Sequence, residues 1–566
     1  FVGQCVDGDI ALCEAALSAQ GFLRLCELGV PFPKNRYGEY IGYKTDHDPN
    51  RRATSVGPYT SKMMTECLER SVKEKGIPIF DKLQVIRIVS KDEKLAGVLC
   101  LNLDAQSDDD RFVAFSCTNI VFATGGPAGI YADSVYPLGH YGATGVAFEA
   151  GVRGKNLTEW QYGLASVRPR WNVSGTYMQV LPRFISTDKD GGDEREFLFD
   201  FFTDKGEMLS KVFLKGYQWP FDVRKVDGGS SIIDILVYIE SCIKGRRVFL
   251  DFRSNPRRED IDYASLSEEA RAYLEKAGAC FGTPVERLLH MNAPAVSFYM
   301  DKGVDIQKEP LEIALCAQHN NGGVAIDCWW QTNIEGFFAA GEVSASHGVY
   351  RPGGSALNAG QVGSTRAAQY IAAKRTQVPP KEAEFLSACA DAMGESMALV
   401  GKTAGGESNV QRLFDEAAAR MSRVGAAMRD GAGIRAALDE IRRELRDFSM
   451  MVKTAKPSDI GRMYRLHDTL VCQYVYLSAM IDYAEKGGKS RGSALYSDKD
   501  GKLPYTSLPE MFRFTLDDGG RADKVQEVAY KEGACDFLWR DVRPMPQDDD
   551  FFENVWRSYR ENGNIY

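Results

Sequence analysis

Apolar residues recur at helical spacing through DGDIALCEAALSAQGFLRLCEL (7–28), and Gly29 supplies a stop, which predicts an opening helix. Val30-Pro31-Phe32-Pro33 reads as a turn, 34–56 as a polar loop, and Tyr59 to Lys75 as a second helix closed by Gly76. The period then changes from helical to alternating. LQVIRIVS (83–90), LAGVLCLNL (95–103) and RFVAFSC (111–117) alternate around charged turns and predict a three-stranded meander. NIVFATGG (119–126) is a short apolar strand ending in Thr124, Gly125 and Gly126, where glycine lets backbone pass close to a ribose or pyrophosphate. Residues 139–151 read as a Gly-rich entry to a helix.

From 163 to 315 the pattern is irregular and rich in aromatics, with VFLDFR (248–253) the one clear strand and a helix over Ser265 to Ala277. This predicts an inserted lid. Strand–turn–helix order returns over 316–375. There Phe337-Phe338-Ala339-Ala340-Gly341-Glu342 predicts a buried strand that delivers a carboxylate to a ligand at its carboxyl end. Asn358 to Lys374 is the following helix, and the Trp329-Trp330 pair reads as a packed hairpin. Pro380 to Lys486 is helical throughout, without a sustained heptad, so a bundle is expected. The polar, aromatic tail from Gly487 is expected to wrap the surface. The resulting segments are 1–162, 163–315, 316–379, 380–486 and 487–566.

A length of 566 residues exceeds one hydrophobic core, which agrees with several domains. The formal net charge of −9 gives no global attraction to nucleic acid, and no apolar run reaches the roughly 20 residues of a membrane helix. Thirteen cysteines are scattered with no CxxC, a pattern that fits reduced thiols in a cytoplasmic protein. It offers neither a metal site nor an iron–sulfur cluster bound by this chain alone.

Candidate chemistry concentrates between His319 and Leu357. His319, His347 and Arg351 supply groups that hydrogen-bond or neutralise an anion, and Gly353-Gly354 allow close backbone approach to a flat or anionic ligand. Taken in order, ATGG (123–126), HNNGG (319–323), AAGE (339–342), HGVYRPGGSAL (347–357) and SRG (490–492) resemble the flavoprotein subunits of succinate dehydrogenase and fumarate reductase. That superfamily also contains aspartate oxidase, soluble fumarate reductases and the adenylylsulfate reductase flavoprotein. The resemblance runs from about Gln4 to Gly492.

The resemblance implies an α/β fold: a Rossmann-like FAD-binding domain in two segments, an inserted α+β capping domain and a C-terminal helical domain. It implies FAD as cofactor, cradled by Thr124, Gly125, Gly126, Gly341, Glu342, Gly354, Ser355, Ala356 and Leu357. Glu342 accepts hydrogen bonds from ribose hydroxyls in this picture, and the helix after Leu357 points its N-terminus at charge near flavin N1. His319 and Arg351 match the positions that hold a substrate carboxylate, His347 the histidine of the HGxxR run, and Glu159 the acid of EWQY. A GxGxxG unit precedes this region in the family. None is present here, and the expectation is a fragment whose pyrophosphate-binding turn lies before Phe1.

Departures from the family pattern bear on the substrate. HNNGG replaces HYTMGG or HTMGG, QYGLA replaces QYHPT, HGVYR replaces HGANR, and the capping-domain arginine has no counterpart in 226–253. Candidate acids are therefore Tyr162, Tyr350, Arg246 and Arg247. Arg168 and Arg170 read as an exposed pair, Arg491 as a helix-end cap, and His47, His140, His290 and His467 as structural. The expected activity is FAD-dependent hydride transfer to or from a C=C/CH–CH unit beside a carboxylate or carbonyl, on a substrate other than fumarate, in anaerobic metabolism. An iron–sulfur or other electron-donor partner, an adenylylsulfate-reductase-like variant and a non-catalytic flavin-binding subunit stand as alternatives.

Overall fold

A computed structural model describes residues 4–45, 48–218 and 220–563; His47 lies outside them. The opening helix, Gly8–Glu27, packs against the later helix Ser355–Lys374. The second helix is Thr60–Glu74. Between them the expected polar loop contains two paired strands, Tyr43–Thr45 and Asp48–Ala53. Their sequence, with DPNRRA on one side, has no apolar alternation. Main-chain pairing makes them strands, so patterning could not find them. The meander forms as Leu83–Lys91, Lys94–Asn102 and Phe112–Ser116.

Two short parallel strands, Ile120–Phe122 and Phe337–Ala339, lie side by side, with Phe338 opposite Val121. Parallel neighbours end at the same edge, so Thr124-Gly125-Gly126 and Gly341-Glu342 emerge together although more than 200 positions separate them.

The region expected to hold one strand holds most of a sheet. Its order is Arg183–Thr187, Arg247–Asp251, Leu311–Asn320, Trp160–Ser166, Trp171–Asn172, antiparallel throughout. Every residue of Trp160–Ser166 and of Arg183–Thr187 is buried. Strands covered on both faces do not alternate, which is why the sequence concealed them. Within this sheet Gln161 faces His319 across the ladder, and the register shifts between Ala317 and His319.

The helical part is built around Pro457–Glu485, whose buried face packs on Gly431–Arg446, Val410–Val424 and Thr144–Glu149. The tail departs from expectation. Lys524–Lys531 and Ala534–Asp541 form a hairpin that pairs with Gly154–Lys155 and enters the core through Val525 and Val528. Among the described residues no helix is long and apolar enough to cross a membrane.

Asp7, just before the opening helix, ties these parts together. It is fully buried and accepts from Lys155 Nζ (2.8 Å), Arg540 Nη1 (2.8 Å) and the Arg543 backbone N–H (2.8 Å). Burial pushes its carboxyl up, but Arg540 and Lys155 hold it well below the usual carboxylate range. Asp7→Ala leaves Lys155 buried without its partner and is expected to cost about 3–5 kcal/mol, read from urea unfolding. Because the folded-state pKa is depressed, the stabilisation is present above about pH 4 and is lost as pH falls further, a slope that the variant will lack.

Candidate functional site

Arg351 sits where the five-stranded sheet meets the glycine-rich turn. Its Nε donates to Gln161 Oε1 at 2.9 Å and its Nη1 to the Pro352 carbonyl at 3.2 Å. Burial lowers its pKa, and the carboxylate of Glu342 opposes that shift. Among the described residues Nη2 has no hydrogen-bond partner. Gln161 escaped the sequence reading, although EWQY contained it. Its role follows from the ladder, which sets it on the same edge as His319.

His319 is buried and its Nδ1 lies 3.0 Å from Asn321 Oδ1. Asn321 Nδ2 donates to the Val349 carbonyl at 3.2 Å, which turns the amide oxygen towards the histidine. Nδ1 therefore carries the proton, and Nε2 is a bare acceptor, buried and without a partner. Burial, then Arg351 and His347, hold the His319 pKa well below its usual value. His347 lies 5.5 Å away, ring centre to ring centre, and burial with Arg351 and Lys155 pushes it down to about 3. Both rings are neutral at pH 7.

The second half of the site is a cradle. Glu342 accepts hydrogen bonds from the Asn320 N–H (2.8 Å), the Tyr136 hydroxyl and the Gly126 N–H. Burial raises its carboxyl to about 7. Gly126 is held close: a Cβ there would lie 2.4 Å from Glu342 Oε1. His140 stacks on Tyr136 and places Nε2 3.2 Å from the Gly126 carbonyl. Gly354 takes φ +82° at the start of Ser355–Lys374 and offers no side-chain cap; the Ser355 N–H goes to the Pro352 carbonyl, which leaves those of Ala356 and Leu357 to a ligand. The hydroxyls of Thr124 and Ser355 are buried without partners. Unpaired hydroxyls, an uncapped helix start and a carboxylate at two strand ends are the groups that the sugar hydroxyls and ring edge of a flavin dinucleotide require. The residues present fit FAD.

Other predicted residues fall elsewhere. Arg246 binds Asp193 (2.9 Å) and Ser186 (3.1 Å), and Arg247 forms a two-point pair with Glu312 (2.7 and 3.0 Å). Both guanidinium groups are engaged outside the His319–Arg351 cluster, which corrects their assignment as acids. Tyr162 is next to Gln161 in a strand and so points to the opposite face, where its hydroxyl meets Tyr131 (2.8 Å) and the Gly425 carbonyl (3.1 Å). Tyr350 presents its ring to Arg224 at 4.1 Å, a residue the sequence had not singled out. Glu159 pairs with Arg491 at 2.8 Å, which locks the segment after the helical part to the start of the strand carrying Gln161. Arg170 donates to the carbonyls of Ala132 and Tyr136 rather than standing exposed. Ala356 flanks the cradle, and Leu357 is 38% exposed. Trp330 is buried against Gly363, and Trp329 lies beneath Arg366.

The sequence profile of the FAD binding domain family matches residues 10–195 and 237–357, and the chain belongs to that family. Its cofactor is FAD. One subunit of the fumarate reductase (CoM/CoB) of Methanothermobacter marburgensis is 53% identical over 70 residues, 12% of this chain and 13% of that protein. L-aspartate oxidase of Mesorhizobium japonicum is 22% identical over 360 residues, 63% and 59% of the two chains. An FAD-dependent oxidoreductase of Methanocaldococcus jannaschii is 29% identical over 491 residues, 86% and 74%. The matches to the first two thus span less than two thirds of those relatives.

Among solved structures, a variant of the E. coli quinol fumarate reductase superposes with a TM-score of 0.67 at 18% identity, covering 97% of this chain and 86% of that one. Adenylylsulfate reductase from Archaeoglobus fulgidus superposes at 0.61 and 12% identity, covering 96% and 84%. The fold is that of the fumarate reductase flavoprotein, with its FAD-binding domain in two segments.

Gly126→Ala is expected to displace Glu342 and to reduce FAD retained per chain, read from visible absorbance, while the far-ultraviolet dichroism stays native. Glu342→Gln tests the raised carboxyl. A folded pKa of about 7 lies above the unfolded value of about 4.3, so wild-type protein loses that contribution as pH rises through this window. The melting temperature of the cofactor-free Gln variant should therefore gain on wild type from about pH 4 to 7.

Proposed function

We propose that the protein is an FAD-dependent oxidoreductase acting on a C=C/CH–CH unit next to a carboxylate or carbonyl. The observation that carries this reading is the half-buried Arg351, with Nη2 uncommitted, beside the glycine-rich cradle and the bare Nε2 of His319. Bound FAD supplies the hydride acceptor or donor.

This chain's residues do the rest. Arg351 holds the substrate carboxylate by charge and hydrogen bonds, and Gln161 fixes the angle of its guanidinium. His319 Nε2 takes a proton from substrate in the oxidising direction and returns it in the reducing one. A carboxylate bound beside it raises its depressed pKa towards the working range. In the reducing direction the double bond gains one hydride and one proton, so its π bond breaks and two C–H bonds form. Reduced FAD, when bound, would supply the two electrons. His347 keeps a neutral wall behind the pair.

A second protein, of the iron–sulfur electron-donor kind, restores the electrons. The Methanothermobacter relative is by name one subunit of a fumarate reductase, and the cysteines of this chain have no cluster spacing. The same scatter of thiols supports a reducing compartment, in keeping with a cytoplasmic location.

The test uses FAD-loaded protein bleached by dithionite and then offered enoates. Reoxidation by an enoate is expected. Arg351→Gln should lower kcat/KM by about 100-fold. Gln161→Ala should raise KM by about tenfold with a smaller change in kcat, since it acts through arginine placement. Flavin-loaded protein whose rates ignore Arg351→Gln would sink the proposal.

A further inference from the structure

The cavity that opens on Arg351 exceeds what a small clamp needs. It encloses about 970 Å³, at the top of the roughly 300–1,000 Å³ typical of pockets for drug-sized ligands. Gly353 and Gly354 line it beside Arg351 and Gln161, and that end would hold the flavin ring. The remaining lining includes Trp171, Asn172, Tyr177, Tyr273 and Asn292.

Charge is scarce there. Among the described lining residues Arg351 is the one cation, and Glu269, exposed, is the one anion. His319 is not among the residues that line this cavity, so it adds no second positive centre to its walls. A short dianion with a carboxylate at each end would leave one of them unpaired in a half-buried cavity, a costly arrangement.

The aromatic walls are fixed in place. Trp171 packs on Phe298 at 4.4 Å between ring centres. The Tyr177 hydroxyl donates to the Ala295 carbonyl (3.0 Å) and that of Tyr273 to Gln179 Oε1 (3.2 Å). With those hydroxyls committed, both residues offer ring carbon to an occupant. Asn172 adds an independent pointer to a ligand, since its Oδ1 is buried with no hydrogen-bond partner.

We infer that the substrate is a monocarboxylate with a bulky, uncharged, planar or aromatic body: the carboxylate rests on Arg351 and the body fills the space walled by Trp171, Tyr177 and Tyr273. This deepens the proposed function and rests on its assignment of Arg351.

Isothermal titration of the full chain, with and without FAD, tests it with three probes: (E)-cinnamate, its uncharged amide (E)-cinnamamide, and fumarate. Cinnamate should bind at least tenfold more tightly than either of the others. Arg351→Gln should erase the preference over cinnamamide. Trp171→Ala should erase the preference over fumarate, and Trp171→Phe, which keeps a ring, should retain it and so guard against a mere folding defect. Fumarate binding as tightly as cinnamate overturns the inference, as does a ratio indifferent to Trp171→Ala. FAD-loaded protein that turns over fumarate but ignores cinnamate leaves the function standing and removes the size inference. Preferential cinnamate binding by a chain that takes up no FAD does the reverse.

Discussion

The antiparallel ladder between Trp160–Ser166 and Leu311–Asn320 is the constraint on which the site depends. Side chains alternate across a strand, so a slip of one residue would exchange Gln161 for Trp160 or Tyr162 and turn the support of Arg351 into the core. The register shift between Ala317 and His319 has a similar effect on the other strand. It breaks the regular alternation just before the histidine, and pairing resumes with His319 opposite Gln161. The strand then ends at Asn320, and the groups of Asn320 and of Asn321 just after it reach Glu342 and His319 respectively. One pairing therefore places groups for both the cofactor side and the substrate side.

The site is electrostatically unfinished. His319 and His347 are buried beside the half-buried Arg351 and Glu342, and His319 Nε2 and His347 Nδ1 lack partners. An unsatisfied buried polar atom costs about 1–3 kcal/mol, so these residues do not stabilise the fold. The ladder, the parallel strand ends and the Glu159–Arg491 pair hold them in place. Such an arrangement gains most from an anionic, hydrogen-bonding occupant, and its geometry is already set when that occupant arrives. Glu14, on the opening helix, belongs to the same pattern, since burial raises its carboxyl to about 7.

Much of this was legible in the sequence where local pattern and local role coincide. The opening helix, the meander, the strand into Gly341-Glu342 and the helix after Gly354 each announce themselves by period and by glycine. The lid sheet did not, because strands buried on both faces lose the polar–apolar alternation that marks a strand. Gln161 and Tyr136 were missed for another reason. Each acts on a residue about 190 to 206 positions away, and nothing in their neighbours signals it. Arg246 and Arg247 misled for the converse reason: an arginine's sequence does not reveal the carboxylate waiting across the sheet, here Asp193 and Glu312. Residue identity proposed the chemistry, and register decided which residues could take part.

Asp7 is bound to Arg540, 533 positions later. During synthesis the carboxylate that anchors the opening helix emerges hundreds of residues before its arginine. Until the 524–541 hairpin leaves the ribosome, that carboxylate lacks Arg540, and Gly154–Lys155 lacks one of its two neighbouring strands. The nascent chain thus passes through a long interval in which Asp7 has Lys155 but not Arg540, and the hairpin that brings Arg540 completes the cluster.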